Sequence, residues 1–184
     1  IDFPNIDVSG VTPGIANRVT GSASHAYIQA AIDAALNKDI AAVVTAPVNK
    51  EALHAAGIRH PGHTEIFAER SASDRWCMMQ YSEPITCTFV TVHVGYAEVP
   101  DLLTQARILE VIELTHESLT KIDGKAPHIV VCGLNPHAGE HGLFGDREEE
   151  QIIAPAIEAA RQAGMNVEGP LSPDTVFVPA KRAT

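Results

Sequence analysis

Short apolar runs rich in β-branched residues alternate along this chain with amphipathic stretches of helical period, and that alternation limits the folds open to it. IAAVVTAPV (40–48), WCMMQY (76–81), ITCTFVTVHV (85–94) and HIVVCGL (128–134) read as strands. The first and last lack polar alternation, which suits strands covered on both faces. The second and third are separated only by Ser82, Glu83 and Pro84, so antiparallel pairing is expected. SHAYIQAAIDAALNK carries Tyr27, Ile28, Ala31, Ile32 and Leu36 at helical spacing, with Ser22 or Ser24 placed to cap it. NKEALHAAG is predicted as a short helix opened by Asn49 and stopped by Gly57, and TEIFAERSA as another with Thr64 near its start. PDLLTQARILEVIELTHESLTK predicts a longer helix with a break near Thr104. DREEEQIIAPAIEAARQAG predicts a helix ending at Gly164, its acidic first turn suited to the helix dipole, with Pro155 either marking the true start or adding a kink. The first twenty residues read as an extended lead-in, and the tail NVEGPLSPDTVFVPAKRAT holds two strand-like pieces. The expected class is α/β.

With 184 residues the chain can bury a real core, and one compact unit is the default expectation. A hydrophobic fraction of 45% with 20% charged residues excludes a disordered class. The formal net charge of −10 repels a long phosphate backbone or an anionic membrane surface, so neither nucleic acid nor membrane is an expected partner. A small anionic substrate stays open to it, because local cations and backbone N–H groups outweigh a field screened within about 10 Å. No apolar run is long enough to span a membrane, and the N-terminus lacks a secretory pattern. Cys77, Cys87 and Cys132 are odd in number, far apart and inside apolar runs; they read as buried thiols in a reducing compartment, hence a cytoplasmic protein.

Three loops follow predicted strands: TAPVNK (45–50), HVGYAE (93–98) and GLNPHAGEHG (133–142). Ligands collect at the carboxyl ends of strands in open α/β sheets. A fourth polar turn, HPGHTE (60–65), precedes a helix whose free N–H groups suit a phosphate or carboxylate, and the four loops are expected to converge. His93 ends the run TFVTV and His137 follows HIVVC closely. Neutral imidazoles from two strand ends suit zinc or a similar cation and leave positions open for substrate. His137 and His141 are four apart, but Gly139 and Gly142 oppose a helix there, so the pair is not a helical zinc motif. Glu140 is either a base or a solvated loop carboxylate. His25, His54, His116 and His128 read as structural, and His60 stays open. GxGxxG, GxxxxGK[ST] and GxSxG are all absent, which excludes the Rossmann, P-loop and α/β-hydrolase routes.

Four segments in this order, TAPVNKEALHAAGI, PGHTEIFAERS, VCGLNPHAGEHGLFGDREEEQIIAPAI and GMNVEGPLSPDTVF, resemble the 4-hydroxythreonine-4-phosphate dehydrogenase family of vitamin B6 biosynthesis, from about residue 20 onward. The resemblance implies an isocitrate/isopropylmalate-dehydrogenase-like α/β/α sandwich, incomplete at both ends, with residues 1–184 forming the central segment of a longer two-domain dehydrogenase and most of its metal- and substrate-binding half. It implies a homodimer, NAD or NADP, and a divalent metal: zinc, or magnesium, cobalt or manganese. It also implies oxidation of a substrate hydroxyl to a ketone followed by loss of carbon dioxide. Residue by residue, His63 and Thr64 of GHT resemble the substrate-binding pair, His93 and His137 resemble two metal ligands, and Lys50 of PVNK and Asp174 of PDT fall in motifs that carry catalytic positions. Cofactor-binding residues are not assigned. A third metal histidine of the family, in a YHDQG-like motif, has no counterpart here, so this segment alone is expected to be inactive.

The preferred substrate on this reading is 4-(phosphooxy)-L-threonine, giving 3-amino-2-oxopropyl phosphate. D-threonate or D-erythronate 4-phosphate, or a terephthalate dihydrodiol, are the alternatives within the family. Outside it stand a zinc hydrolase using Glu140 and a non-catalytic fragment.

Overall fold

The computed structural model describes residues 7, 9 and 11–178, and these fall into two units, one on each side of the boundary between Asp74 and Arg75. The first unit holds three helices: α1 (Arg18–Leu36), α2 (Lys50–Ala55) and α3 (His63–Arg70). The start of α1 lies ahead of both predicted caps. Asn17 accepts the Thr20 N–H at 3.0 Å while the Thr20 hydroxyl accepts the Asn17 N–H at 3.2 Å, a reciprocal cap that sets the first turn. Asn49 caps α2 as predicted, accepting the Ala52 N–H at 2.8 Å, and Gly57 follows it at φ +82°. Gly21 allows α1 to lie against α2: a Cβ there would sit 1.8 Å from the Ala52 carbonyl oxygen. The core of this unit is Ile28, Ile32, Leu53 and Ile66, joined by Val48, Ile58 and Phe67.

Residues 40–48 correct the sequence reading. They form no strand, and apart from Val43 and Val48 they lie exposed, Val44 at 97%. An apolar run becomes a buried strand only where neighbouring strands take up its N–H and C=O groups. Among the described residues of this unit there is no strand to do so.

The second unit begins with an antiparallel pair, β1 (Met78–Gln80) and β2 (Cys87–Phe89), as expected but shorter than the apolar runs that contain them. A short 3₁₀ turn (Tyr96–Glu98) and α4 (Val99–Leu102) lead to α5 (Gln105–Asp123). Thr104 is the predicted break; its hydroxyl accepts the Arg107 N–H at 3.1 Å and opens α5. Then come β3 (His128–Cys132), a π-helical turn (Glu149–Ile153), α6 (Ala154–Gln162) and β4 (Asn166–Leu171). The helix predicted from Asp146 is continuous from the π turn into α6, and Pro155, where a kink or the true start was expected, sits just after that junction. Strands β3 and β4 pair in parallel, Ile129 opposite Val167. Helix α5 (Ile108, Ile112), the π turn (Ile153), α6 (Ala156, Ile157, Ala160) and β4 (Val167) together build the buried core, with Ile129 and Val131 of β3 packed against it.

Helices and strands therefore mix as an α/β chain requires, with two two-stranded sheets among the described residues. All three cysteines are half-buried rather than buried. Of the two strand-like pieces predicted in the tail, the first is β4; residues 173–178 are turn and bend, and 179–184 lie outside the described residues, as does most of the first ten. No helix among the described residues is long and apolar enough to cross a membrane.

Candidate functional site

Parallel pairing places the carboxyl ends of β3 and β4 side by side, so the loops that leave them meet. The Gly133 N–H donates to the Leu171 carbonyl at 2.8 Å and continues the ladder into both loops. His137 comes from the first loop and Asp174 from the second. Asp174 Oδ2 lies 3.4 Å from His137 Nδ1, and Oδ1 receives the His137 backbone N–H at 3.5 Å, a long contact. The Ser172 hydroxyl donates to Oδ1 at 2.9 Å. That hydroxyl, then the backbone N–H of Asp174 itself and the contacts with His137, hold the Asp174 carboxyl below the usual carboxylate range. With Nδ1 facing a carboxylate, the Nε2 of His137 is the nitrogen left for a cation, the arrangement that orients metal-bound histidines. The ring also lies 6.3 Å from that of Phe144, tilted by 35°.

The backbone beneath His137 is unusual. His137, Ala138, Gly139, Glu140 and His141 all have positive φ, between +40° and +78°, and form a left-handed turn within Pro136–Gly142. Left-handed conformation costs roughly 1–2 kcal/mol for each residue with a Cβ, and four of these five carry one. His93 also has a positive φ, +57°, in the exposed segment beyond β2. Both candidate metal ligands thus occupy strained backbone, a feature that clusters at functional sites. Glycine content opposes an α-helix in this loop, and the loop instead takes a left-handed turn. His141 does not belong with His137: its side chain is 99% exposed, 3.5 Å from Glu150. Glu140 is exposed in the same turn.

The acidic run after this loop does something other than answer a helix dipole. Glu148 and Glu149 are buried, 7% and 3% exposed, and both face Asn135. Glu149 Oε1 accepts the Asn135 backbone N–H at 2.7 Å, and the Asn135 side-chain amide lies 2.9 Å from Glu148 Oε2 and 3.2 Å from Glu149 Oε2. Glu148 Oε2 also accepts the Asp146 N–H at 2.9 Å. Burial pushes the Glu149 carboxyl up, but the hydrogen bonds, those from Asn135 foremost, outweigh it and leave the carboxyl below its ordinary value. These residues were missed in the sequence because a run of three glutamates ahead of a helix reads as solvated; the adjoining glycine-rich loop, which needs internal acceptors, was the available signal.

In the first unit Lys50 is exposed at the first position of α2, and His63 and Thr64 are half-buried in the first turn of α3, whose Gly62 cap offers no side chain. The first-turn N–H groups of a helix have no partner within it, which is what an anion site draws on. The structure thus groups His137 with Asp174, and Lys50, His63 and Thr64 on helix starts of the other unit. Among the described residues no group of three or more His, Cys, Asp or Glu could hold a metal.

Other histidines have structural partners: His60 pairs with Glu69 at 2.7 Å, His25 with Gln29 at 3.1 Å, and His128 lies 3.5 Å from Glu168 across the strands. An apolar cavity of about 890 Å³ between β2 and β3 includes none of the candidate residues. Burial raises the Cys77 and Cys132 thiols, which suits packing rather than nucleophilic attack.

Residues 2–184 match the family model described as pyridoxal phosphate biosynthetic protein PdxA. The chain is 47% identical over 158 residues to a 4-hydroxythreonine-4-phosphate dehydrogenase of Geobacter metallireducens, covering 86% of this chain and 46% of that protein. It is 42% identical over 173 residues to a D-threonate 4-phosphate dehydrogenase of Cupriavidus necator, covering 94% and 52%. A crystal structure of 4-hydroxythreonine-4-phosphate dehydrogenase from Klebsiella pneumoniae superposes with a TM-score of 0.80 at 42% identity, covering 94% of this chain and 53% of that one. The chain spans about half the length of the curated relatives it matches.

Proposed function

The chain belongs to the pyridoxal phosphate biosynthetic protein PdxA family, and on that premise we propose that it is the central segment of a two-domain, NAD(P)-dependent and metal-dependent dehydrogenase that oxidises and decarboxylates a phosphorylated hydroxy acid. The fold we assign to the whole is the isocitrate/isopropylmalate-dehydrogenase-like α/β/α sandwich, in a cytoplasmic homodimer. The observation that carries the reading is His137 held by Asp174 where two parallel strands end.

His137 and His93 would hold the divalent cation, His137 through Nε2 because Asp174 faces Nδ1. When bound, the cation lowers the pKa of a substrate hydroxyl and stabilises developing negative charge, and the nicotinamide accepts the hydride. Asp174, ionised at neutral pH, keeps the imidazole in one tautomer and orientation. His63, Thr64 and the first-turn N–H groups of α3 would bind the anionic end of the substrate, and Lys50 is proposed as a catalytic residue.

The preferred substrate is 4-(phosphooxy)-L-threonine, giving 3-amino-2-oxopropyl phosphate. D-threonate 4-phosphate is the second reading, favoured by the relative of that name in Cupriavidus necator. NAD and NADP reduction by the full-length protein, with each phosphorylated acid and with added Zn²⁺, Mg²⁺, Co²⁺ or Mn²⁺, tests both. Turnover of one acid assigns the substrate, whereas no reduction with any phosphorylated four-carbon acid would remove the proposal.

A further inference from the structure

The left-handed turn that carries His137 has a buried acidic support, and nothing about the proposed chemistry requires carboxylates there. Glu149 is 3% exposed, yet its oxygens take their donors from the loop itself: the Asn135 N–H at 2.7 Å on Oε1 and the Asn135 amide at 3.3 Å and 3.2 Å. Glu148 takes the same amide at 2.9 Å and the Asp146 N–H at 2.9 Å. Asn135 and Asp146 lie on the two sides of the turn, so the carboxylates tie its beginning to its end. The middle is seated as well, since a Cβ on Gly139 would stand 2.6 Å from Glu149 Oε2 and one on Gly145 would stand 2.5 Å from Glu148 Oε2. Burying two adjacent carboxylates is unfavourable unless their hydrogen bonds are met, and here they are met by the segment whose backbone is most strained.

We propose that Glu149, assisted by Glu148 through Asn135, is a positioning residue that holds residues 137–141 in their left-handed turn and so presets the His137 imidazole for its cation. It touches neither substrate nor cation. The inference rests on the reading of His137 as a metal ligand, and the two can fail separately.

The test uses the full-length protein, with Co²⁺ as the probe, its affinity read by titration of the d–d absorption band, alongside kcat and KM. E149Q keeps the shape but turns amide donors toward Asn135; G139A pushes on the turn with both carboxylates intact. I157V, in the core of the same unit, lowers stability without touching the loop. H137A reports whether His137 binds Co²⁺ at all. The expected result is a loss of Co²⁺ affinity of about 10–100-fold in E149Q and G139A, with an altered band, and wild-type affinity in I157V. Wild-type affinity and band shape in E149Q and G139A, while H137A loses Co²⁺, overturns the inference and leaves the metal reading standing. Equal losses in I157V and E149Q overturn it too, since the effect would then follow stability alone. Unchanged Co²⁺ binding in H137A overturns the metal reading and the inference with it.

Discussion

Asp174 touches His137 from the loop beyond the neighbouring parallel strand, its Oδ2 at 3.4 Å from the imidazole Nδ1 and its Oδ1 at 3.5 Å from the backbone N–H. Both residues are exposed, so the pair has little influence on folding and its consequence lies in orientation. D174N in the full-length protein should leave the thermal midpoint of the metal-free form unchanged and weaken Zn²⁺ binding by about 10–100-fold. Calorimetric titration of Zn²⁺ checks it, and equal affinity in the two proteins would show that Asp174 does not orient the ligand.

The two histidines of the left-handed turn should separate cleanly. His137 has Asp174 and Phe144 around it, whereas the side chain of His141 is 99% exposed. H137A, and likewise H93A, should cost more activity than the roughly 10–100-fold typical of residues one layer from a metal. H141A should keep wild-type kcat/KM. A comparable loss in H141A would mean that the turn presents both rings to the same ion.

In the first unit the close approach of α1 and α2 should be intolerant of a single methyl group. A Cβ at Gly21 would lie 1.8 Å from the Ala52 oxygen and 2.4 Å from its carbonyl carbon, both backbone atoms that cannot rotate away. G21A gains about 1 kcal/mol of helix propensity, and forced separation of the helices costs about 1–3 kcal/mol or more. Net destabilisation is expected in urea unfolding. L53A, at a site with no exposed surface, should cost about 2–5 kcal/mol in the same experiment. A G21A protein as stable as wild type would mean that the two helices are not held this closely.

What the sequence disclosed and what it hid divide along a physical line. Most signals read within a few residues survived: Asn49 as a cap, Thr104 as a break, Gly57 and Gly164 as stops, and the antiparallel β1–β2 pair, whereas Ser22 and Ser24 lie inside α1, which Asn17 caps. Features decided by distant partners did not. Residues 40–48 have strand composition but no strand beside them among the described residues of their unit, and the burial of Glu148 and Glu149 depends on a loop that folds back over them. The meeting of His137 and Asp174, 37 positions apart, follows from parallel pairing of β3 and β4, which periodicity in either strand alone does not specify.

Acid should act on the second unit through Glu149. Its carboxyl loses a proton more readily in the folded chain than its ordinary value of 4.5 implies, because the Asn135 N–H groups favour the charged form over the penalty of burial. A carboxyl of lowered folded pKa adds stability that is fully present above the unfolded value and is lost as pH falls through the folded one. E149Q, which cannot be charged, should therefore be less stable than wild type by about 1–3 kcal/mol at neutral pH, the range for a buried hydrogen bond to a charged group. The gap should hold down to about pH 5 and close as the pH is lowered further, when wild type itself takes up the proton. Urea midpoints of both proteins from pH 7 to about pH 3 measure this directly. A gap that stays constant through the acid range would mean that the Asn135 contacts do not depend on the charge of Glu149.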